Sequence, residues 1–553
     1  MSLGVTARLR EVGDSSLVLE IGSTLPGHAQ IDIEVSRRAT AVARVVKQRA
    51  IVGVRDVVPT FWSVVVSFDP LSTDVSAVAA ALQEDVDAAP DAVGRIHEVP
   101  VAYGDSNGPD LEAVAAYAGC SPEVVVQRHA SRTYRVFMLG FLPGFAYMGS
   151  VDETIAVPRK PTPRLRVAAG SVGIAGQQTG VYPLDAPGGW HIIGRAGVTP
   201  FEPERVPPSL FAPGDEVRFV PVSTVASPKV DPVSARPDVD SMTGTGGYVT
   251  VLRPGLLTTV QDAGRWGHQE VGVSVSGPMD PMAHRLANVV VGNRPDAATL
   301  EATFLGPELR MEQHTRLALA GADLRATLDG SEVPLHTTIN CNAGSVLGFG
   351  ERRSGARVYV AFDGGVALTA VLGSRATHLR SGLGGLHGRP LMRGDRIVIG
   401  QSSPVARFIR TSGPDPHPGG VRLRVLPGPQ VEHFLPSALD ALQRARYTIS
   451  ADSDRMGYRL TGGARLASNV GGNMVSDSTY LGGLQIPPSG DPILLMADRP
   501  TTGGYPQIAV VISADLSLAG QLGAGDWVEF EVCRRADAIA ALVAQEGRIL
   551  AVR

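Results

Sequence analysis

Alternating apolar and polar positions mark short strands near the start of the chain. Ser16–Ile21 (SLVLEI) and Ser63–Phe68 (SVVVSF) are typical of strands that bury one face. Helical periodicity predicts a short helix over Thr40–Arg49 and the start of another over Val75–Leu82. The pattern therefore predicts a small α+β domain over residues 1–85.

Strands dominate the next unit, which we place at residues 86–221. The pattern predicts a strand over Glu98–Tyr103, a helix over Leu111–Ala118 and a further helix that Ser121 opens. From residue 134 to 222 the chain reads as strands with glycine-rich corners. We expect this unit to be a β-barrel.

Residues 222–247 have no periodicity and are rich in Ser, Pro, Asp and Gly. Such a stretch is typical of a linker between units that can each fold alone. Beyond it, residues 248–535 return to the β-rich pattern, and residues 536–553 are predicted to form a C-terminal helix or tail.

A faint repeat runs through both halves. Gly214-Asp215, Gly394-Asp395 and Gly525-Asp526 each precede an alternating strand, and Gly344-Ser345 is a weaker copy. Each pair reads as a tight turn that feeds the last strand of a β-rich block. We therefore predict one barrel in the first half and two in the second.

Composition narrows the class of protein. The chain has 553 residues, 44% of them hydrophobic and 19% charged, with a net charge of −4. This is the profile of an ordinary globular protein of several domains, and it gives no electrostatic case for nucleic acid or a membrane surface. Three scattered cysteines, together with no apolar leader or span, predict a cytoplasmic protein without a disulfide framework or structural zinc.

A basic loop follows residue 156. Arg159, Lys160, Arg164 and Arg166 occur there, and no acid lies between residues 156 and 184. Prolines stiffen this loop and glycines follow it, so Arg159 and Arg164 are candidates for binding a carboxylate or a phosphate. A barrel corner with solvated arginines explains the same pattern equally well.

Several chemistries are excluded by the residues present. The chain has only three lysines, and it carries no GxxxxGK[ST], HExxH or GxSxG motif. A Ser–Ser–Lys amidase needs a lysine in a serine-glycine-rich loop, and a biotinyl domain needs one between methionines; neither occurs. Any biotin must therefore arrive on another protein, and we predict no metal site.

One polar constellation lies on a predicted helix. Asp280, His284 and Asn288 share a face at a spacing of four residues, and Gln261 precedes a nearby turn. An Asp280–His284 pair could transfer a proton, with Gln261 and Asn288 binding substrate. Helix capping by Asp280 is the simpler explanation.

Two further clusters carry charge. Asp454 and Arg455 lie in a turn that could be catalytic or only a local ion-pair network. In Asp498-Arg-Pro-Thr-Thr-Gly-Gly-Tyr505, successive backbone donors could form an anion nest with Arg499. We take Asp454 and Asp498 as candidate catalytic residues. The candidate binding residues of the two clusters are Arg455, Arg499, Thr502 and Tyr505.

Longer motifs carry a family resemblance. GFLPGFAYMG, PRKPTPR, AGSVGIAGQQTGVYP and PGGWHIIGR make roughly the first 220 residues resemble allophanate hydrolase subunit 1. That family includes Kip-type kinase inhibitors and the B-type subunit of bacterial 5-oxoprolinase. GLLTTVQDAGRWGHQ, SGPMDPMAHRLANVVVGN and ADRPTTGGYPQ make residues 248–535 resemble allophanate hydrolase subunit 2. The second family includes the C-type subunit of 5-oxoprolinase and part of the carboxyltransferase domain of urea carboxylase.

The resemblance implies cyclophilin-like barrels in a mainly β fold with α+β parts. It also implies the fused B-type and C-type component of an ATP-dependent 5-oxoprolinase, which opens a small cyclic amide to give glutamate. The expected partners are a separate A-type subunit of 5-oxoprolinase and ATP with Mg²⁺, and the chain could also form a homo-oligomer. A biotin-dependent carboxyltransferase acting on urea or a related amide, and a Kip-type kinase regulator, are the alternatives.

Overall fold

The computed structural model describes residues 7–22, 32–84, 94–226, 247–401, 419–469 and 474–552, so most of the predicted linker lies outside the described residues. Within these ranges the chain is mainly β, with two closed barrels and a small N-terminal α+β unit. This confirms the predicted fold class. No helix in the described ranges combines the length and apolar character needed to cross a bilayer.

The N-terminal unit is an antiparallel sheet covered on one face by two helices. The sheet has the strand order β1-β2-β4-β3. Its elements are β1 (Ala7–Val12), β2 (Ser16–Ile21), α1 (Ile33–Gln48), β3 (Val54–Pro59), β4 (Ser63–Phe68) and α2 (Val75–Glu84). Helix α1 begins earlier than the periodicity predicts, because the Asp32 side chain accepts hydrogen bonds from the backbone N–H groups of Glu34 and Val35.

The first closed barrel follows. Its seven strands are β5 (Ile96–Tyr103), β6 (Thr133–Leu139), β7 (Ala146–Gly149), β9 (Ser171–Ala175), β10 (Gln178–Val181), β12 (His191–Ala196) and β13 (Glu216–Pro221). Two strands, β8 (Arg164–Val167) and β11 (Ala186–Gly188), pair with each other beside it, and α3 (Leu111–Ala118) and α4 (Pro122–Ala130) lie between β5 and β6. His129 of α4 is buried, with hydrogen bonds to Tyr103 and Thr179.

The middle region was predicted to be a barrel, but its described strands form two sheets around a shared core. The first contains β14 (Tyr248–Arg253), β17 (Glu308–Met311), β19 (Thr327–Leu328), β20 (Ser331–Glu332), β22 (Val346–Gly348) and β24 (Arg396–Val398). The second contains β15 (Leu257–Gln261), β16 (Thr299–Thr303), β18 (Thr315–Asp323), β21 (Ile339–Cys341) and β23 (Ser354–Phe362). Helix α5 (Pro281–Val291) packs on β18 and β23.

The second closed barrel, like the first, has seven strands. It consists of β25 (Gly420–Pro427), β26 (Tyr447–Ile449), β27 (Gly457–Thr461), β29 (Gly483–Gln485), β30 (Ile493–Leu495), β32 (Gln507–Val511) and β33 (Trp527–Val532). Beside it lie the paired strands β28 (Asp477–Ser478) and β31 (Thr502–Gly503), with helices α6 (Ala438–Arg444), α7 (Leu516–Gly520) and α8 (Arg535–Leu550). In both barrels the first and last strands pair in parallel, β5 with β13 and β25 with β33.

The Gly-Asp repeat has a common structural cause. Asp215, Asp395 and Asp526 each accept a hydrogen bond from the backbone N–H three residues earlier, at 3.0, 2.7 and 2.9 Å. The carboxylate therefore closes the turn and delivers the chain into β13, β24 or β33. The prediction that β13 and β33 close their barrels is confirmed.

The N-terminal sheet docks on the second barrel. Its other face contributes Val12, Val18, Val58 and Val65 to a buried cluster with Tyr480 and Val510. At the edge of this contact, Asp14 accepts hydrogen bonds from the backbone N–H and the hydroxyl of Ser513, at 2.8 and 2.6 Å. The N-terminal unit is thus packed against the second closed barrel.

A buried ion network joins the middle region to the second barrel. Arg455 donates two hydrogen bonds to Asp498, at 2.9 and 3.0 Å, and pairs with Glu301 of β16. Glu301 also accepts hydrogen bonds from Tyr359 at 2.6 Å and from the Met279 N–H at 2.8 Å. All three charged residues are at most 4% exposed, so each depends on its partners for compensation.

We expect Arg455→Met to lower the free energy of unfolding by about 3–5 kcal/mol, because it leaves two buried carboxylates without their cation. Differential scanning calorimetry would measure the loss. Arg459→Met, at an exposed position in the adjoining strand β27, is the matched control. A melting profile for Arg455→Met like that of the control would show that the network does not stabilise the fold.

Candidate functional site

The two halves of the chain meet where residues 140–147 contact residues 498–505, and we call this contact the seam. Tyr147 and Thr502 place their hydroxyl oxygens 3.3 Å apart, and a Cβ atom on Gly140 would overlap the Thr502 side chain. The Gly144 N–H also donates to the Val271 carbonyl at 2.8 Å. Glycine at position 140 is therefore required for this close approach.

An aromatic wall, formed by Phe141, Phe145, Tyr147, Tyr182 and Trp190, lines the first-half side of the seam. The Phe145 ring lies 5.0–5.3 Å from the rings of Tyr147, Tyr182 and Trp190, all in edge-to-face arrangements. Phe141 lies edge-to-face at 5.7 Å from Phe145 and 6.5 Å from Tyr182. Rings held edge-to-face fix one another's orientation. All of them except the partly buried Phe141 are at most 5% exposed, so the wall is a packed core cluster beside the seam.

Two arginines reach the wall from opposite halves. The Arg380 guanidinium lies 5.5 Å from the centre of the Phe141 ring and donates to the Met456 sulfur at 3.4 Å. Arg159 is exposed, and its Nη1 would lie 3.7 Å from a Cβ atom on Gly504. In the part of the chain that the structure describes, neither guanidinium pairs with a carboxylate.

The expectation of unneutralised charge is wrong for the rest of the basic loop. Asp110 accepts two hydrogen bonds from Arg164, both at 2.7 Å, and forms an ion pair with Lys160 at 2.8 Å. Burial alone would raise the pKa of Asp110, but the hydrogen bonds from Arg164 and Lys160 lower it to about 2. Arg166 forms an ion pair with Asp185. Among the described residues, Arg159 is therefore the one cation of this loop whose guanidinium has no carboxylate partner.

Arg499 makes contacts away from the proposed nest. It donates to Gln269 at 2.8 Å, and Gln269 donates to Asp56 of the N-terminal unit at 3.0 Å. Burial lowers the pKa of Arg499 to about 10. Thr502 and the 36%-exposed Tyr505 do lie at the seam, where Thr502 and Gly503 form strand β31. The anion nest therefore stays a prediction, and Arg499 is not directed towards it.

The predicted Asp280–His284 pair is not formed. Asp280 caps helix α5 through the Ala283 N–H at 2.9 Å and accepts a hydrogen bond from Gln521 at 2.7 Å. His284 and Asn288 both contact the Ala297 carbonyl, at 3.0 and 2.7 Å. The capping explanation therefore accounts for Asp280. The other two residues of the shared helix face, His284 and Asn288, bind a backbone carbonyl oxygen.

The remaining candidates also have structural partners. Gln261 is fully buried and donates to Thr259 and to the Thr377 carbonyl, at 3.0 and 3.2 Å. Asp454 accepts hydrogen bonds from the backbone N–H groups of Met456 and Gly457 and so shapes its own turn. Asp498 and Arg455 belong to the buried ion network, so Arg455 pairs with distant carboxylates and not within its own turn, as a local network would require. Catalytic roles for these residues stay predictions.

Sequence reasoning missed Arg380 and His378. His378 is 3% exposed, its Nδ1 contacts the Ser381 hydroxyl, and its Nε2 has no hydrogen-bond partner among the described residues. Burial lowers its pKa, although the nearby Asp498 acts in the opposite direction. No motif surrounds either residue, so only the fold identifies them.

His284 generates a pH-dependent prediction. Burial lowers the pKa of His284 to about 4, whereas an unfolded histidine has a pKa of about 6.5. Below pH 6.5 the unfolded chain therefore binds a proton that the folded chain does not, and stability falls as the pH drops towards 4.

We expect His284→Gln to remove up to about 2 kcal/mol of the stability loss between pH 6.5 and pH 5. Thermal melts at the two pH values would measure it, with His314→Gln at an exposed histidine as the control. An unchanged pH dependence in His284→Gln would contradict a neutral buried imidazole.

Comparison with known proteins covers both halves. The model of the carboxyltransferase domain, subdomain C and D, matches residues 7–211, and that of subdomain A and B matches residues 271–532. The C-type subunit of 5-oxoprolinase from Escherichia coli is 38% identical over 291 residues, which is 53% of this chain and 93% of the relative. The B-type subunit of 5-oxoprolinase from Bacillus subtilis is 37% identical over 232 residues, 40% of this chain and 94% of the relative.

Two wider similarities follow. The urea amidolyase of Saccharomyces cerevisiae is 32% identical over 306 residues, covering 51% of this chain and 16% of the relative. The solved structure of the protein TTHA0988 has a TM-score of 0.84 at 35% identity, and the match covers 95% of this chain and 100% of that one. The chain therefore belongs to the carboxyltransferase-domain family of the B-type and C-type 5-oxoprolinase subunits, as a fusion of a B-type homologue with a C-type homologue.

Proposed function

We propose that this chain is the fused B-type and C-type component of an ATP-dependent 5-oxoprolinase, working with a separate A-type subunit. The proposal rests on how much of each 5-oxoprolinase subunit this one chain matches. Over nine-tenths of a B-type subunit, and likewise of a C-type subunit, is matched by consecutive parts of one polypeptide. The A-type subunit has no counterpart in these alignments, so it would be the partner.

The chemistry of the reaction fits the seam. A cyclic amide with a carboxylate must be bound and its ring carbonyl attacked, and hydrolysis of ATP supplies the driving force. The charged group of such a ligand needs a cation, and Arg159 and Arg380 are cations without a carboxylate partner at the seam, within the described residues. Because the sequence has no phosphate-binding P-loop, we assign ATP and Mg²⁺ to the assembled complex and not to a motif of this chain.

The seam also explains why both halves are needed. The aromatic wall and Arg159 come from the B-type homologue, whereas Arg380 and residues 498–505 come from the C-type homologue. A site built across two components is complete only when they are assembled. In this protein one polypeptide supplies both.

The test is reconstitution. We expect the purified chain alone to release no glutamate from 5-oxoproline, because the described residues do not assemble a complete nucleophile and base. Addition of ATP and the A-type subunit of a 5-oxoprolinase should give glutamate and ADP above the sum of the separate components. The measurement is coupled glutamate detection with ADP release in parallel.

Two outcomes would contradict this proposal. Robust turnover by the chain alone would show that it carries a complete active site. Failure of several A-type subunits to form a complex with it, or to be stimulated by it, would remove 5-oxoprolinase as its function.

Carboxyl transfer is the second candidate. The matching models describe carboxyltransferase subdomains, and the yeast urea amidolyase aligns over half of this chain. Since the sequence has no biotinyl domain, the biotin would come from a separate carrier protein. Transfer of labelled carboxylate from a carboxylated carrier to urea or a related amide would support this function, and its absence alongside glutamate release would exclude it.

A further inference from the structure

The middle region carries a cavity on the outer face of its first sheet. The cavity has a volume of about 690 Å³. Its walls are the loop after β14, the turn between β16 and β17, and parts of β17, β19 and β22 with the residues that follow β19 and β22. These segments do not belong to the seam, and the volume is in the range of roughly 300–1,000 Å³ that is usual for small-molecule sites.

The register of the strands explains why this face is hollow. Thr327 of β19 lies opposite Gly348 of β22. The pairing of Leu309 with Leu347 places Glu308 of β17 on the other side of this glycine. Because Leu309 and Leu347 are fully buried, their neighbours Glu308 and Gly348 face outward. Gly348 has no side chain, so the floor between Thr327 and Glu308 is bare backbone.

One end of the cavity is apolar and open to solvent. The partly exposed Phe349 ring lies on the backbone of Gly306, where a Cβ atom would be 2.3 Å from the ring. Pro254, Pro307 and the 50%-exposed Leu305 complete this end. Proline and phenylalanine side chains lose little conformational freedom on contact, so this end suits a ring or a short aliphatic group.

The other end of the cavity carries a carboxylate without a cation. Asp329, which is exposed in the turn between β19 and β20, accepts a hydrogen bond from the Val346 N–H at 2.8 Å and has no ion pair within the described residues. Glu308, in contrast, pairs with Arg253 across the sheet. The cavity wall thus has one cation and two anions, which favours a positively charged ligand over a negatively charged one.

We propose that this cavity binds a small organic cation, with an amine or amidine group on Asp329 and an aromatic or short aliphatic part against Phe349. The row of Thr327 and Gly348 lies between these two ends, so the Thr327 hydroxyl can accept a further hydrogen bond from the cation. The site is additional to the proposed function and does not rest on it, because it uses no residue of the seam.

Three ligands of one shape and different charge test the site on the full chain. Benzamidine is the cationic probe, benzamide is its neutral counterpart and benzoate is the anion. Ligand-observed NMR titration would give the affinity of each.

Two variants change the cavity in different ways. Asp329→Asn keeps the oxygen that accepts the Val346 N–H and tolerates the positive φ of 52° at this position. Gly348→Leu fills the floor, where a Cβ atom would lie 3.4 Å from the Thr327 hydroxyl oxygen. Glu332→Gln is the control, because it removes an exposed carboxylate from β20 of the same sheet without touching the cavity.

We expect the wild-type chain to bind benzamidine more tightly than benzamide, and benzoate least. Asp329→Asn should weaken benzamidine binding about three- to tenfold, the value of an exposed charge pair with a hydrogen bond, and leave benzamide unchanged. Gly348→Leu should abolish binding of both ligands. Glu332→Gln should bind like the wild-type chain, and circular dichroism melts would confirm that each variant folds.

Three results would overturn the inference: a wild-type chain that does not bind benzamidine, one that binds benzoate as tightly, or a folded Gly348→Leu protein with wild-type affinity. If Gly348→Leu does not fold, the Asp329→Asn comparison decides, and unchanged benzamidine affinity there would reject the site. Glutamate release in the reconstituted complex has no bearing on these outcomes.

Discussion

The structure depends on the N-terminal sheet being buried on both faces. Helices α1 and α2 cover one face, and the second barrel covers the other through a valine cluster against Tyr480 and Val510. Apolar contact of this kind stabilises roughly in proportion to the area removed from water. The sheet comes just before the first barrel in the sequence. Its packing on the second barrel therefore limits how far the first barrel can lie from the second half.

Polar contacts then set the position of the two halves more finely. Buried Asp56 accepts hydrogen bonds from the Gly267 and Gln269 N–H groups and from the Gln269 amide, at 3.0 to 3.1 Å. Gln269 also accepts a hydrogen bond from Arg499, which belongs to the segment of residues 498–505 at the seam. Burial raises the pKa of Asp56. Loss of any of these donors would leave a buried carboxylate with too few hydrogen bonds, which would destabilise the interface. These contacts tie the 498–505 side of the seam to the N-terminal unit through Gln269.

Local features were predictable from the sequence. The strands Ser16–Ile21 and Ser63–Phe68 have the bounds that their alternation predicts. The Gly-Asp turns at Asp215 and Asp526 precede barrel-closing strands, whereas the turn at Asp395 leads into the edge strand of an open sheet. These signals depend on neighbouring residues, which a pattern can show. The resemblance supplied the family and the order of its halves, which single motifs could not.

Long-range pairing was not predictable. Asp110 neutralises Arg164 from 54 positions away, and no local feature of either residue indicates this contact. Asp280 and His284 do lie on one helix, but their side chains bond to Gln521 and Ala297, which the helical spacing cannot show. Arg380 has no motif around it and becomes a candidate only because Phe141 lies beneath it. Side-chain partners come from the tertiary fold, and the candidate site consists largely of such partners.

The parallel pairing of first and last strands in each barrel has a consequence for how such proteins are assembled. Because these two strands run parallel, the chain enters each barrel at one end of the strand pair and leaves it at the other end. Units built in this way can follow one another along a chain without disturbing either core, so the same parts can be encoded separately or as one chain. Separate components must find each other at their cellular concentrations. Joined halves meet at an effective concentration set by their connection, and they are always made in equal numbers. Gene fusion here converts a bimolecular encounter into a step of folding.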